Sequence, residues 1–172
     1  SWLKRKRLKH TIATTPVRRD GKVLTRRTDA SLAPTKDEWA AGRRQQVSVW
    51  AADTLRAGEF VKARSVDAVV TDAPYGVQHG SRAPGGGLSR RPLELLTEAV
   101  PVWARLLRPG GTLGLSWNTH VAARGDLVAL LRSAGFVVAD SEAYRSLRHR
   151  VDQAILRDVV VGRLESSVGE ES

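Results

Sequence analysis

The chain has 172 residues, 41% apolar and 27% charged, with no cysteine and a formal net charge of +10. That length suffices for one domain with a real core. The composition excludes disulfides, a thiolate nucleophile and a cysteine metal site, and no apolar run is long enough to span a bilayer. No metal site is expected. No basic stretch leads into an apolar signal core, so the expected location is cytoplasmic.

Residues 1–10 carry Lys4, Arg5, Lys6 and Arg7 beside Trp2 and Leu3. They read as the end of a helix or as a solvated arm. Residues 11–28 read as a β-hairpin, with Asp20-Gly21 as its two-residue turn. Its tip and flanks would display Arg18, Arg19, Lys22, Arg26 and Arg27. Residues 29–34 read as a connector. Residues 35–44 read as a short helix, with Thr35 and Glu38 spaced as a capping box. Residues 1–45 thus form a basic arm and hairpin insertion, holding 13 Lys/Arg against 4 Asp/Glu, a balance of +9. The rest of the chain is near neutral. Such asymmetry points to phosphate contacts on nucleic acid. A basic surface with no partner is the plainer alternative.

Residues 46–51 form the next predicted strand. Asp53 follows its end, a position where an aspartate is most often a helix N-cap. The organising stretch comes next. Residues 68–70 are a short apolar, β-branched run that stops abruptly at Asp72-Ala73-Pro74-Tyr75-Gly76. A buried strand leading into a turn is the simplest reading. An acidic group at the carboxyl end of such a strand sits where open α/β sheets bind ligands. Pro74 fixes its own φ and drives Ala73 out of the helical region. Asp72 is ionised and only accepts hydrogen bonds. Tyr75 offers a flat face for stacking on a planar ring. Gly76 frees the exit of the chain. Together these suit an amino group attached to an aromatic ring. The plainer reading is an Asp-Pro turn capping a core strand.

Residues 77–91 read as a mobile loop with His79, Arg82, Gly85-Gly86-Gly87 and Arg90. Its glycines match neither the dinucleotide nor the P-loop spacing. A lone loop histidine is more often incidental than catalytic. Residues 92–107 have helical spacing, with Leu93, Leu96, Val100, Trp103 and Leu107 on one side. Pro101 is expected to kink or divide this helix. Arg108-Pro109-Gly110-Gly111 is expected to stop it. A strand (112–117), a helix (121–134) and two strands (136–139 and 154–161) follow. Residues 165–172 read as a polar, disordered tail.

The run Asp72-Ala73-Pro74-Tyr75 resembles the Asp/Asn/Ser-Pro-Pro-aromatic motif of S-adenosylmethionine-dependent amino-methyltransferases. It departs at Ala73, where that family usually has proline. The longer string from Thr71 to Gly76 is most similar to the tRNA guanine-N2 methyltransferases that often carry a THUMP domain. The resemblance implies an α/β, Rossmann-like class I methyltransferase fold with S-adenosylmethionine as cofactor and nucleic acid, most of all tRNA, as partner. It implies that Asp72, Ala73, Pro74 and Tyr75 receive the target amine. It also implies that Asp53 and Asp72 serve the cofactor side, Asp53 by accepting from the adenine amine. The hairpin cations, with Arg82 and Arg90, would then bind nucleic acid.

By the same resemblance, residues 46–164 are the C-terminal part of the catalytic domain, ending in a reversed strand. The glycine-rich turn and ribose-binding acid of the first half are not found. The missing N-terminal half is therefore expected upstream or in trans. The lack of methionine fits a fragment, a processed chain or an excised domain. The lack of cysteine sets aside pyrimidine-C5 methylation, which in the families concerned uses a cysteine nucleophile. Two alternatives stay open: a DNA adenine or cytosine amino-methyltransferase, and a truncated RNA-binding fragment without turnover.

Overall fold

The computed structural model describes residues 5–6, 8–73 and 92–166. The chain divides into two compact units, Ser1–Asp53 and Thr54–Ser172.

The first unit is a three-stranded antiparallel sheet in the order β1-β2-β3, with β1 (Lys9–Arg19), β2 (Lys22–Ala33) and β3 (Gln45–Trp50). Asp20 and Gly21 both take positive φ, 49° and 76°, as a two-residue hairpin turn requires. The predicted hairpin is therefore present. Its strands are longer than expected, because the supposed connector at 29–34 pairs with β1 through Ala33. A bulge at Val17/Arg18 shifts the register. Helix α1 (Lys36–Ala40) starts at the predicted cap, where the Thr35 hydroxyl accepts from Glu38 N–H at 3.1 Å. It is shorter than the spacing suggests. The Arg44 guanidinium closes it, lying 4.3 Å from the Trp39 ring centre and donating to the Trp39 carbonyl.

The sequence order places the strand before Asp53 in the same sheet as the Asp72 strand. Instead β3 pairs with β2, from Arg27↔Trp50 to Leu32↔Gln45. The break between units falls after Asp53 and not at residue 45. The physical reason is local pairing. β2 offers a free edge about a dozen residues upstream, and closing so short a loop costs little entropy.

The second unit holds a five-stranded mixed sheet. Its order is β4-β5-β8-β6, with β7 also on β8. The strands are β4 (Val66–Asp72), β5 (Leu107–Asn118), β6 (Phe136–Val138), β7 (His149–Arg150) and β8 (Leu156–Leu164). β4 and β5 are parallel, whereas β8 runs antiparallel to both β5 and β6. The last strand is thus reversed, as the resemblance implied, and it is inserted between β5 and β6. β5 starts earlier than predicted. Val66 pairs with Leu107 and Ala68 with Thr112, so Arg108-Pro109-Gly110-Gly111 bulges out of the ladder instead of preceding it. Gly110 has φ +78°, and a Cβ on Gly111 would come within 2.9 Å of the Arg108 carbonyl. Glycine is therefore required at both positions.

One face of this sheet packs against helices α2 (Pro92–Leu106) and α3 (Arg124–Ser133). The predicted stripe holds: Leu96, Val100, Trp103 and Leu107 are buried against Leu113, Leu115, Trp117 and Val160. α2 runs unbroken through Pro101. The proline lies on the exposed side, where the carbonyl deprived of a donor can meet water. A 3-10 helix, Thr54–Glu59, is fixed to α2 by the Trp103 indole N–H, which donates to the Thr54 hydroxyl at 2.8 Å. Helix α4 (Glu142–Arg145) and strand β7 carry no sequence signal beyond their polar character. Glu165, expected in the tail, donates its N–H to the Gly135 carbonyl at 2.9 Å. Among the described residues no helix is long and apolar enough to cross a membrane.

Candidate functional site

Asp72 is the last residue of β4, opposite Ser116 of β5. The ladder continues one residue further, because Ala73 N–H donates to the Ser116 carbonyl at 2.8 Å. Ala73 is buried in the core. Alternation along the strand then sends Val69 and Thr71 toward α2 and α3 and turns Asp72 to the other face. Its carboxylate is half exposed at the carboxyl rim of the parallel pair. A carboxylate turned into the interior would have removed it as a ligand-binding group, and that is not the arrangement found. Pro74 and Tyr75, with His79, Arg82 and Arg90, lie outside the described residues.

The rim is built from three strand ends. Asp72 Oδ2 lies 3.5 Å from Nη2 of Arg157, near the start of β8. Arg157 stands opposite Asn118 in the ladder and reaches across the end of β5. Asn118 is buried and pins this corner. Its Oδ1 accepts from His120 and Leu156 N–H, each at 3.2 Å, and its Nδ2 donates to the Ala154 carbonyl at 3.0 Å. The Trp117 indole donates to the Ala122 carbonyl at 3.0 Å. The Ser116 hydroxyl, beside Asp72, is buried without a hydrogen-bond partner. Sequence reasoning missed Arg157 and Ser116. The one available signal was the Arg157-Asp158 pair interrupting an apolar strand.

Asp158 points the other way, into the core, and is 3% exposed. It accepts from Arg124 Nη1 at 3.0 Å and from Val159 N–H at 2.8 Å. The pair ties α3 to β8 behind the rim. Asp158→Ala leaves the Arg124 guanidinium largely buried without its counter-charge, which costs about 3 kcal/mol. Urea unfolding should show this as a lowered midpoint at unchanged slope. A loss below about 0.5 kcal/mol would mean that water already carries the arginine.

Of the two aspartates expected on the cofactor side, Asp72 ends β4 and Asp53 lies in the other unit. Asp53 ends the first unit, and the strand before it belongs to the other sheet. The strand-order argument for its adenine contact therefore lapses. Among the described residues no glycine-rich strand–turn–helix is present to take a methionine moiety, and no group of three potential metal ligands occurs. Among the described residues, Asp72 and Ala73 stand at the carboxyl end of β4, and no cofactor cradle is assembled.

The hairpin cations are all exposed. The β3 ladder stops at Arg27, so the tip beyond it is a two-stranded ribbon. By register Arg18 and Arg26 fall on one face and Arg19, Lys22 and Arg27 on the other. They surround the tip instead of forming one stripe. Arg18 donates to the Gly21 carbonyl at 3.3 Å, and Arg27 pairs with Asp29 at 2.9 Å. The Ser48 hydroxyl first, and Arg27 beside it, hold the Asp29 carboxyl below its ordinary range.

No family model matches this sequence, and no curated protein does. Several solved structures align with it. A candidate DNA modification methylase from Thermus thermophilus, solved with S-adenosyl-L-methionine, is 18% identical with a TM-score of 0.44, covering 71% of this chain and 57% of that one. A candidate exported protein from Bordetella parapertussis is 14% identical with a TM-score of 0.43, covering 67% and 43%. The aminoglycoside resistance methyltransferase NpmB1 is 20% identical with a TM-score of 0.37, covering 59% and 53%. The chain spans about half the length of these structures. Likeness at this level fixes neither a shared fold nor a shared activity.

Proposed function

We propose that this chain forms the target-amine side of an S-adenosylmethionine-dependent methyltransferase acting on an exocyclic nucleobase amine, with guanine in tRNA as the substrate. The observation that carries the reading is Asp72, an exposed carboxylate at the carboxyl rim of parallel strand β4, immediately followed in sequence by Ala73-Pro74-Tyr75. An exocyclic amine is a poor nucleophile because its lone pair is delocalised into the ring. Asp72 and the Ala73 carbonyl would accept its two N–H groups and keep that lone pair on nitrogen. Tyr75 would stack on the base, which structured RNA must extrude. Bound S-adenosylmethionine supplies an electrophilic methyl group. The amine proton leaves to Asp72 or to water, and holding the reactants at attack distance provides much of the rate. The rest of the cofactor site would come from polypeptide outside these residues.

The basic tip of the first unit supports a nucleic-acid substrate. A two-stranded ribbon with cations on both faces suits insertion between phosphate walls. Arg18→Ala with Arg19→Ala should reduce the slope of log affinity against log salt by about 2, one unit for each phosphate no longer neutralised. Fluorescence anisotropy with labelled tRNA measures this, and an unchanged slope would exclude the tip from the interface. Transfer of a tritiated methyl group to tRNA and to duplex DNA by the complete protein tests the substrate. Label in duplex DNA alone would transfer the assignment to a DNA amino-methyltransferase. Label in neither would leave an RNA-binding chain without turnover.

A further inference from the structure

β5 is parallel to β4, and β8 is antiparallel to both β5 and β6. The carboxyl ends of β4, β5 and β6 therefore share one rim with the start of β8. Residues 139–155 join β6 to β8, so they leave from that rim and return to it, on the same end of the sheet as Asp72. This segment carries Arg145, Arg148, His149 and Arg150, all exposed. Two of its three acids are already engaged. Asp140 accepts from Nε and Nη2 of Arg145 at 3.0 and 2.8 Å. Asp152 Oδ1 accepts from Ala154 and Ile155 N–H at 2.7 and 2.8 Å. Among the described residues neither Arg148 nor Arg150 stands at ion-pair distance from a carboxylate. Tyr144, Leu147 and Val151 are exposed between these cations. Unpaired arginines interleaved with open apolar and aromatic side chains mark an interaction surface.

We propose that the segment joining β6 to β8 is a second phosphate-binding surface, on which Arg148 and Arg150 hold the RNA backbone beside the extruded base. It takes the RNA substrate from the reading above and adds where that substrate is held. Charge argues for a polyanion from outside the chain. Residues 74–91 hold Arg82, Arg90 and Arg91 and no acid, and residues 1–53 hold 13 Lys/Arg against 5 Asp/Glu. Covering the segment with either would add to its charge instead of offsetting it. Position argues for the substrate itself. His149, between the two arginines, stands opposite Arg157, whose Nη2 lies 3.5 Å from Asp72 Oδ2. Three strand spacings, about 14 Å, separate β7 from β4, a distance that backbone flanking an extruded base can span. The segment is also built before RNA arrives. Arg145 N–H donates to the Ser141 carbonyl at 3.1 Å and Val151 N–H to the Ile155 carbonyl at 3.0 Å. Little ordering entropy is then left for binding to overcome.

The test measures the affinity of the complete protein for labelled tRNA across a salt series. Arg148→Ala with Arg150→Ala should reduce the slope of log affinity against log salt by about 2. Arg148→Lys with Arg150→Lys should restore it, because a phosphate accepts either cation. Lys62→Ala with Arg105→Ala removes the same charge ahead of β4 and β5, at the other end of the sheet. That pair should leave the slope unchanged. An equal loss from both alanine pairs would mean that net charge alone acts. An unchanged slope for the Arg148 and Arg150 pair would exclude the segment. Either result overturns the proposal and leaves the methyl-transfer reading standing. A slope reduced on duplex DNA and not on tRNA would overturn the RNA assignment. A parent that binds no tRNA would overturn both readings. Binding with the expected slopes but no methyl transfer would sink the catalytic reading and leave this surface in place.

Discussion

Asp72→Ala in the complete protein is expected to lower methyl transfer by about 1,000-fold or more, the scale seen when one pre-positioned polar group is removed from a reacting centre. On the proposed reading tRNA binding rests on the hairpin cations, which the substitution leaves in place, so it should stay within about twofold. Asp72→Asn should fall between the two. Its amide oxygen still accepts from the amine, but its charge and its pairing with Arg157, 3.5 Å away, are gone. Arg157 already lies beside one of the two carboxylate oxygens, Oδ2. Single-turnover assays with labelled cofactor at saturating tRNA separate chemistry from binding. Turnover of Asp72→Ala within tenfold of the parent would remove this carboxylate from the mechanism.

Trp117→Ala is expected to cost about 4 kcal/mol, a large share of the roughly 5–15 kcal/mol that a domain has. Trp117 is wholly buried in the middle of the core cluster, between the sheet and α3. Its loss opens a cavity that two packed layers cannot close. It also strips the Ala122 carbonyl of the indole donor at 3.0 Å. Trp117→Phe refills most of the volume and should recover about half of the loss. Urea titration followed by far-ultraviolet circular dichroism measures both. A cost below about 1 kcal/mol for the alanine variant would mean that the layers collapse onto the gap.

Local chemistry is legible in the sequence wherever one or two residues decide the backbone. Asp20-Gly21 marks the hairpin turn, Thr35 and Glu38 the cap, and the spacing of Leu96, Val100 and Trp103 the buried stripe of α2. Asp72 falls at a strand end because an apolar run halts there. Long-range pairing is not legible. β3 alternates like any half-buried strand, and nothing in Gln45–Trp50 says which sheet it joins. The Asp53 role falls with that choice. Arg157 lies far along the chain from Asp72 and reaches it only because β8 wedges beside β5. Pro101 misleads because its ring faces water, where a missing donor costs less than in a packed interior.

The position of β8 bears on how the protein is made. β5 and β6 are never neighbours in the finished sheet, since the strand between them is synthesised after both. On the ribosome the first unit can close once Ser1–Asp53 has emerged. The second must hold β6 unpaired until Leu156–Leu164 clears the exit tunnel. Through that interval β6 lacks the strand it pairs with, so a stop codon before residue 156 would yield a chain prone to aggregate instead of a smaller version of the same sheet.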